Sequence, residues 1–394
     1  MPAAQLTSQQ LLARLVAFDT TSQFSNLPLV EFIRDYLDRF GIKSQLIPDA
    51  SGAKANLYAV VGGEPDQPAI ILSGHTDVVP AKADDWTSDP FTLMERDGRL
   101  YGRGTADMKG YLASSLAAVP DILEAKLPTP ISLAFSYDEE VGCIGVPSLI
   151  EVITQPPIQP ILCIVGEPTG VVPVLAHKGK VALRCHVHGV EAHSAMTHMG
   201  VNAIEGAARI VAKIRDIADD LARRSPSDTG FDPPFTTLQT SRITGGTAGN
   251  IIPNYCCFEF EIRNLPKEDA EPILAAIKSF AEREIAPNLR ARGNQGRVEW
   301  ETAFSYPGLE IDAFSETARR ICRIAGTGPG PKVSYGTEAG LFHKAGIPTV
   351  VCGPGSIEQA HRPNEFLSAE QLAACDRFLH AVIADLADKK QWWV

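Results

Sequence analysis

The chain has 394 residues, 36 basic and 47 acidic side chains and a net charge of -11, so its length predicts two or three compact units. Its acidic balance argues against nucleic acid or anionic membrane as the main partner, because both are met by basic surface. No apolar run approaches the ~20 residues that span a bilayer, and no basic stretch precedes an apolar block at the N-terminus, so a cytoplasmic protein is expected.

Thr7 and Gln10 form a capping-box signature ahead of Leu11, Leu12, Leu15 and Val16, which keep a helical period. A second helix is predicted from about Pro28, with Leu29, Ile33, Tyr36, Leu37 and Phe40 on one face and Gly41 as its stop. Short apolar runs at 56–61, 69–72, 131–136 and 161–165 read as strands buried on both faces, as in a mostly parallel sheet covered by helices. Segment 109–123 supplies one covering helix.

The middle of the chain has another rhythm. Residues 181–188 alternate like a half-buried strand, and 203–221 carry apolar side chains at helical spacing. A Pro/Gly-rich loop at 225–234 leads to strand-like runs at 236–243 and 255–263, then a helix over about 268–285 and a strand near 298–302. That order, β-α-β-β-α-β, predicts a ferredoxin-like unit. Helix and strand resume from 312, with a buried strand at 348–352. The expected fold is therefore α/β. Residues 1–179 and 304–394 form a mostly parallel central sheet with helices on both faces, and 180–303 form an inserted α+β domain. The eight cysteines include no C-x-x-C pair and mostly lie in apolar runs, so they read as reduced core thiols.

Several predicted strands run out into groups that bind metal. The first ends in Gly74-His75-Thr76-Asp77; a glycine-rich turn places Asp107 before a helix; later strands lead to Asp138-Glu139-Glu140 and to Gly166-Glu167. His361 follows the last buried strand. In open α/β sheets ligands sit beyond the carboxyl ends of strands, so these groups are expected to converge. Carboxylates gathered there repel each other unless cations neutralise them. His75, Asp107, Glu140, Glu167 and His361 suffice for two divalent ions, with Asp107 as the bridge. Successive side chains diverge, which leaves Glu139 free to act as general base. Asp77 is placed to hydrogen-bond His75 and fix its tautomer. Histidine with carboxylates suits Zn²⁺, with Co²⁺ or Mn²⁺ as substitutes. Taken singly, an acidic triplet is usually a solvated turn and a lone histidine is rarely a ligand. The joint occurrence at strand ends carries the reading.

The strings SGHTDVVP (73–80), YGRGTADMKG (101–110), SYDEEVGC (136–143) and VGEPTG (165–170) resemble the M20 family of dinuclear-zinc amidohydrolases and peptidases. The resemblance covers nearly the whole chain, and it makes the insertion that family's lid and dimerisation domain. It implies His75 and Glu167 on one metal, Glu140 and His361 on the other, Asp107 bridging, Glu139 as base and Asp77 orienting His75. It further implies a homodimer in which His193 reaches the partner's active site and stabilises an oxyanion. Within the lid, Asn250 is a candidate amide contact and Arg263 a candidate partner for a substrate carboxylate. Glu338 is a candidate for a substrate ammonium.

DEEVGCIGV (138–146), SYGTEAG (334–340) and CGPGSIEQAH (352–361) are similar to the versions of these motifs in members that deacetylate N2-acetyl-L-ornithine. HRPNEF (361–366) departs from the expected HxPDEF at Asn364. Other small-molecule N-acyl amino acids, including succinyl-diaminopimelate, remain open as substrates, as do dipeptides. A non-catalytic binding protein on this fold is the alternative of another class.

Overall fold

The computed structural model describes residues 5–63, 67–156, 159–224, 227–291 and 295–388. Residues 225 and 226 of the Pro/Gly-rich loop, and both chain ends of the domain expected at 1–179 and 304–394, lie outside them. The chain divides into two units. One comprises Met1–Ala176, Leu309–Pro331 and Thr337–Val394; the other comprises His177–Gly308 and Lys332–Gly336. In chain order the main strands are β1 Ser44–Pro48, β2 Ala55–Val61, β3 Pro68–His75, β4 Ile131–Ser136 and β5 Gln159–Pro168. Next come β6 Lys180–His188, β7 Thr237–Gly245, β8 Tyr255–Arg263, β9 Arg297–Tyr306 and β10 Thr349–Gly353.

The first unit is built on a six-stranded sheet in the order β1-β2-β4-β3-β5-β10. Strands β4, β3, β5 and β10 are parallel, while β1 and β2 run antiparallel at one edge. Alternate residues of the parallel strands, such as Ile70, Leu72, Leu133, Leu162 and Val350, join one core with Leu11, Leu15, Leu112 and Phe378. Their neighbours Ile71, Ala134, Cys163 and Val351 are buried as well, as a sheet covered on both faces requires. The helix expected over 109–123 is two helices, Gly110–Ala117 and Val119–Ala125. Pro120 lies in the first turn of the second, where its missing N–H costs nothing. The edge strand β1 was not legible as a buried run, because only part of it is covered.

The parallel arrangement decides where the chemistry can sit. His75 pairs with Ser136 across β3 and β4, and Gly353 pairs with Pro168 across β10 and β5. The strand ends are therefore level, and the segments leaving them emerge at one edge. Gly166 permits a close approach there, since a Cβ on it would lie 1.9 Å from the Tyr111 ring.

The second unit carries an antiparallel sheet in the order β7-β8-β6-β9. Leu183, Cys185 and Val187 of β6 and Phe258, Phe260 and Ile262 of β8 form a core with Ile210 and Ile214 of helix Ala203–Arg223 and Ile277 of helix Glu271–Phe280. The other face is polar: Arg184 pairs with Glu259 and Glu301, and His188 with Glu299. This is the ferredoxin-like order, with both helices on one side.

Candidate metal centre

His75 ends β3 and is fully buried. Its Nδ1–H donates to the main-chain carbonyl of Asp77 at 2.9 Å, so Nε2 is the nitrogen left with a lone pair. Nε2 faces Asp107 Oδ1 at 3.0 Å and Glu167 Oε1 at 3.7 Å. The second oxygen of Asp107, Oδ2, lies 3.3 Å from His361 Nε2, which in turn lies 2.9 Å from Glu140 Oε2. One carboxylate thus reaches a histidine with each oxygen. Glu139 joins His75 and Glu167 in one group of potential ligand atoms, and Glu140 joins His75 and Asp107 in another; within each group the atoms lie within 4.8 Å of one another.

The electrostatics fit divalent cations. Burial, then the neighbouring charges, pushes Glu139 up to about 8 and Glu140 up to about 7, and raises Glu167 well above the usual carboxylate range. Hydrogen bonds that His361 donates to the Asp107 and Glu140 carboxylates push it up to about 10. Glu140 Oε1 is buried without a hydrogen-bond partner. A cluster of carboxylates with an orphaned oxygen and two imidazoles is a donor set suited to hard or borderline cations.

The surrounding groups hold this arrangement in place, and two differ from expectation. Asp77 does not fix the His75 tautomer through its carboxylate, which is 3.6 Å from Nδ1; its carbonyl oxygen does so. The carboxylate instead accepts the amides of Glu139 at 3.1 Å and Glu140 at 3.3 Å, and the Ser22 hydroxyl at 2.7 Å. Glu338 is not presented to a ligand. It is fully buried, and its oxygens accept from Ser73 at 2.6 Å and Ser136 at 2.7 Å, which braces the ends of β3 and β4.

Glu365 escaped the sequence reading. It is 1% exposed; one oxygen accepts from Arg103 Nη1 at 2.7 Å and the Gly104 amide at 2.9 Å. The other accepts the amides of Ala106 at 2.8 Å and Asp107 at 3.1 Å. The segment bearing His361 therefore clamps the loop bearing Asp107. The signal for Glu365 was its place in HRPNEF, where it matches the expected motif without a role having been assigned to it. Asn364, the departure from the expected motif, sits at φ 57, a conformation Asn tolerates, and its side-chain oxygen accepts from Thr87.

His193, Asn250 and Arg263 belong to the second unit. His193 lies on a short ribbon, paired with Ile251, and the Ser194 amide donates to the Asn250 carbonyl at 2.9 Å, so these two candidates are neighbours. Arg263 ends β8, where its Nε donates to Glu261 at 2.7 Å.

The chain is similar to known proteins over nearly its whole length. A model of peptidase family M20/M25/M40 matches residues 71–385. An acetylornithine deacetylase of Myxococcus xanthus is 36% identical over 388 residues, covering 98% of this chain and 97% of that protein. An acetylornithine deacetylase of Pasteurella multocida is 34% identical, covering 92% of this chain and 93% of that one. Among solved structures, an M20 family metallo-carboxypeptidase from Sulfolobus solfataricus superposes with a TM-score of 0.75 at 17% identity, covering 97% of this chain and 99% of that chain. A tripeptidase from Staphylococcus aureus gives a TM-score of 0.72 at 20% identity, covering 98% of this chain and 100% of that chain.

Proposed function

Because the chain belongs to peptidase family M20/M25/M40, we propose that this hydrolase removes the acetyl group from N2-acetyl-L-ornithine, a step of arginine biosynthesis. The observation that carries the catalytic part is Asp107, whose two oxygens each face a different histidine. The substrate rests on relatives named acetylornithine deacetylase at 33–36% identity over nearly their full length.

His75, Asp107 and Glu167 would hold one divalent ion, and Asp107, Glu140 and His361 the other. Zn²⁺ is the proposed ion. When bound, such a pair supplies Lewis acidity toward the acyl carbonyl and lowers the pKa of an attacking water. Glu139 takes the proton of that water and delivers it to the departing amine. Asp77 holds the Glu139 and Glu140 amides, so base and ligand stay in register. His193 donates to the developing oxyanion, Asn250 contacts the substrate, and Arg263 receives the α-carboxylate. The working form is a cytoplasmic homodimer joined through the second unit.

The test is a panel of acetylated, succinylated and dipeptide substrates assayed for free amine, with chelator and with added Zn²⁺. Acetylornithine should be preferred, and chelation should abolish turnover. A preference for succinylated substrates or dipeptides would overturn the substrate, and metal binding with no hydrolysis would indicate a binding protein. Glu139→Gln should retain metal and lose roughly a hundred- to ten-thousand-fold in kcat. Near-normal turnover in that variant would remove Glu139 from the role of base.

A further inference from the structure

The loop that carries Glu139 is closed on itself. The amides of Gly142 and Cys143 both donate to the Glu139 carbonyl at 2.9 Å, and those of Ile144 and Gly145 donate to Asp138 and Tyr137 at 3.0 and 3.2 Å. Asp77 accepts the Glu139 amide from the other side. The main chain of Glu139 is thus pinned at both ends, but its side chain still has three torsions to order. The Cys143 thiol addresses that freedom: its Sγ lies 3.3 Å from Glu139 Oε1 and donates to it.

The backbone makes this contact more than packing. Cys143 sits at φ 57, in the left-handed region, directly after Gly142 at φ 120. A non-glycine residue is strained in that conformation, whereas glycine adopts it freely. Cysteine occupies a position where the fold alone would favour glycine, and what it adds is a thiol, in a residue only 1% exposed, aimed at the carboxylate. Strain retained in this way is characteristic of functional sites.

We propose that Cys143 is a positioning residue for the hydrolytic reaction, its thiol holding one oxygen of Glu139 so that the other is aimed at the attacking water. The inference rests on Glu139 acting as base. It also explains the strained turn beside the acidic pair, because the left-handed residue brings the side chain at 143 back onto the one at 139.

The experiment compares Cys143→Gly, Cys143→Ala and Cys143→Ser with the wild-type holoenzyme for kcat, KM, metal content and Tm. Cys143→Gly relieves the backbone and removes the donor. It should keep its metal, its KM and a Tm at or near that of the wild type, while kcat falls about three- to tenfold, the scale of one lost hydrogen bond. Cys143→Ser, which keeps a donor, should recover most of that loss, and Cys143→Ala should lose both kcat and Tm. Wild-type kcat in Cys143→Gly would overturn the proposal. So would a fall in kcat that tracks lost metal, or a serine variant no better than glycine. Glu139→Gln separates the two readings. If Glu139→Gln is inactive and Cys143→Gly is fully active, only the role of Cys143 fails; if Glu139→Gln is fully active, the base assignment itself fails.

Discussion

His361 shows how a residue's surroundings set its chemistry. Its side chain is half exposed, yet hydrogen bonds donated to the Asp107 and Glu140 carboxylates push it up to about 10. His75 is raised well above its ordinary value, its hydrogen bond to Asp107 and the charges of Asp107, Glu167 and Asp77 outweighing its burial. Without a cation, the carboxylates beside each imidazole favour its protonated form. A metal needs the neutral nitrogen, so metal and proton compete for the same lone pair. The sign follows: metal uptake should expel protons at pH 7 and tighten as pH rises toward the histidine pKa values. Calorimetric titration of Zn²⁺ into chelator-stripped protein, in buffers of different ionisation enthalpy, should show a net release of about one proton or more. A heat independent of the buffer would mean that the imidazoles were already neutral. The candidate ligands were legible in sequence because they follow apolar runs or, for Asp107, a glycine-rich turn before a helix. The bracing groups Glu365 and Glu338 were not, because their partners lie far away along the chain: Arg103 for one, and Ser73 and Ser136 for the other.

At the scale of elements, strand ends level with one another matter more than any single motif. The join between β5 and helix Gly110–Ala117 is tight. Tyr111 is fully buried, its hydroxyl donates to the Ile164 carbonyl at 3.1 Å, and its ring fills the space beside Gly166. Gly166→Ala places a carbon inside that ring's envelope, one residue before Glu167. It should cost about 1–3 kcal/mol in denaturant unfolding and reduce metal content, because the strand end has to shift. An unchanged unfolding midpoint would show that helix and strand slide apart freely. Periodicity located most of these elements but misjudged one break and missed one edge. The helix over 109–123 reads as continuous in its apolar pattern, yet Pro120 starts a new helix there. Strand β1 has too little buried surface to leave a pattern, and it exists because β2 offers it an antiparallel partner.

For the molecule as a whole, the placement of the candidate residues in two units generates its own test. The candidate metal ligands belong to the first unit, and His193, Asn250 and Arg263 to the second. If His193 serves a partner subunit, mixing His193→Ala with Glu139→Gln protein should restore activity. Some mixed dimers would then pair an intact base with an intact histidine. Absence of rescue, once mixed dimers are demonstrated by mass, would place His193 outside that role. The sequence by itself determined the family, the α/β class and the candidate ligands, because apolar runs, glycine turns and clustered acids are local signals that survive in one dimension. Only the tertiary structure decided how Asp107 divides its two oxygens, that Asp77 grips main-chain amides, and that Glu338 lies sealed behind the site. Those outcomes depend on register between strands distant in the chain, and hydrogen-bond direction and burial exist only once that register is set.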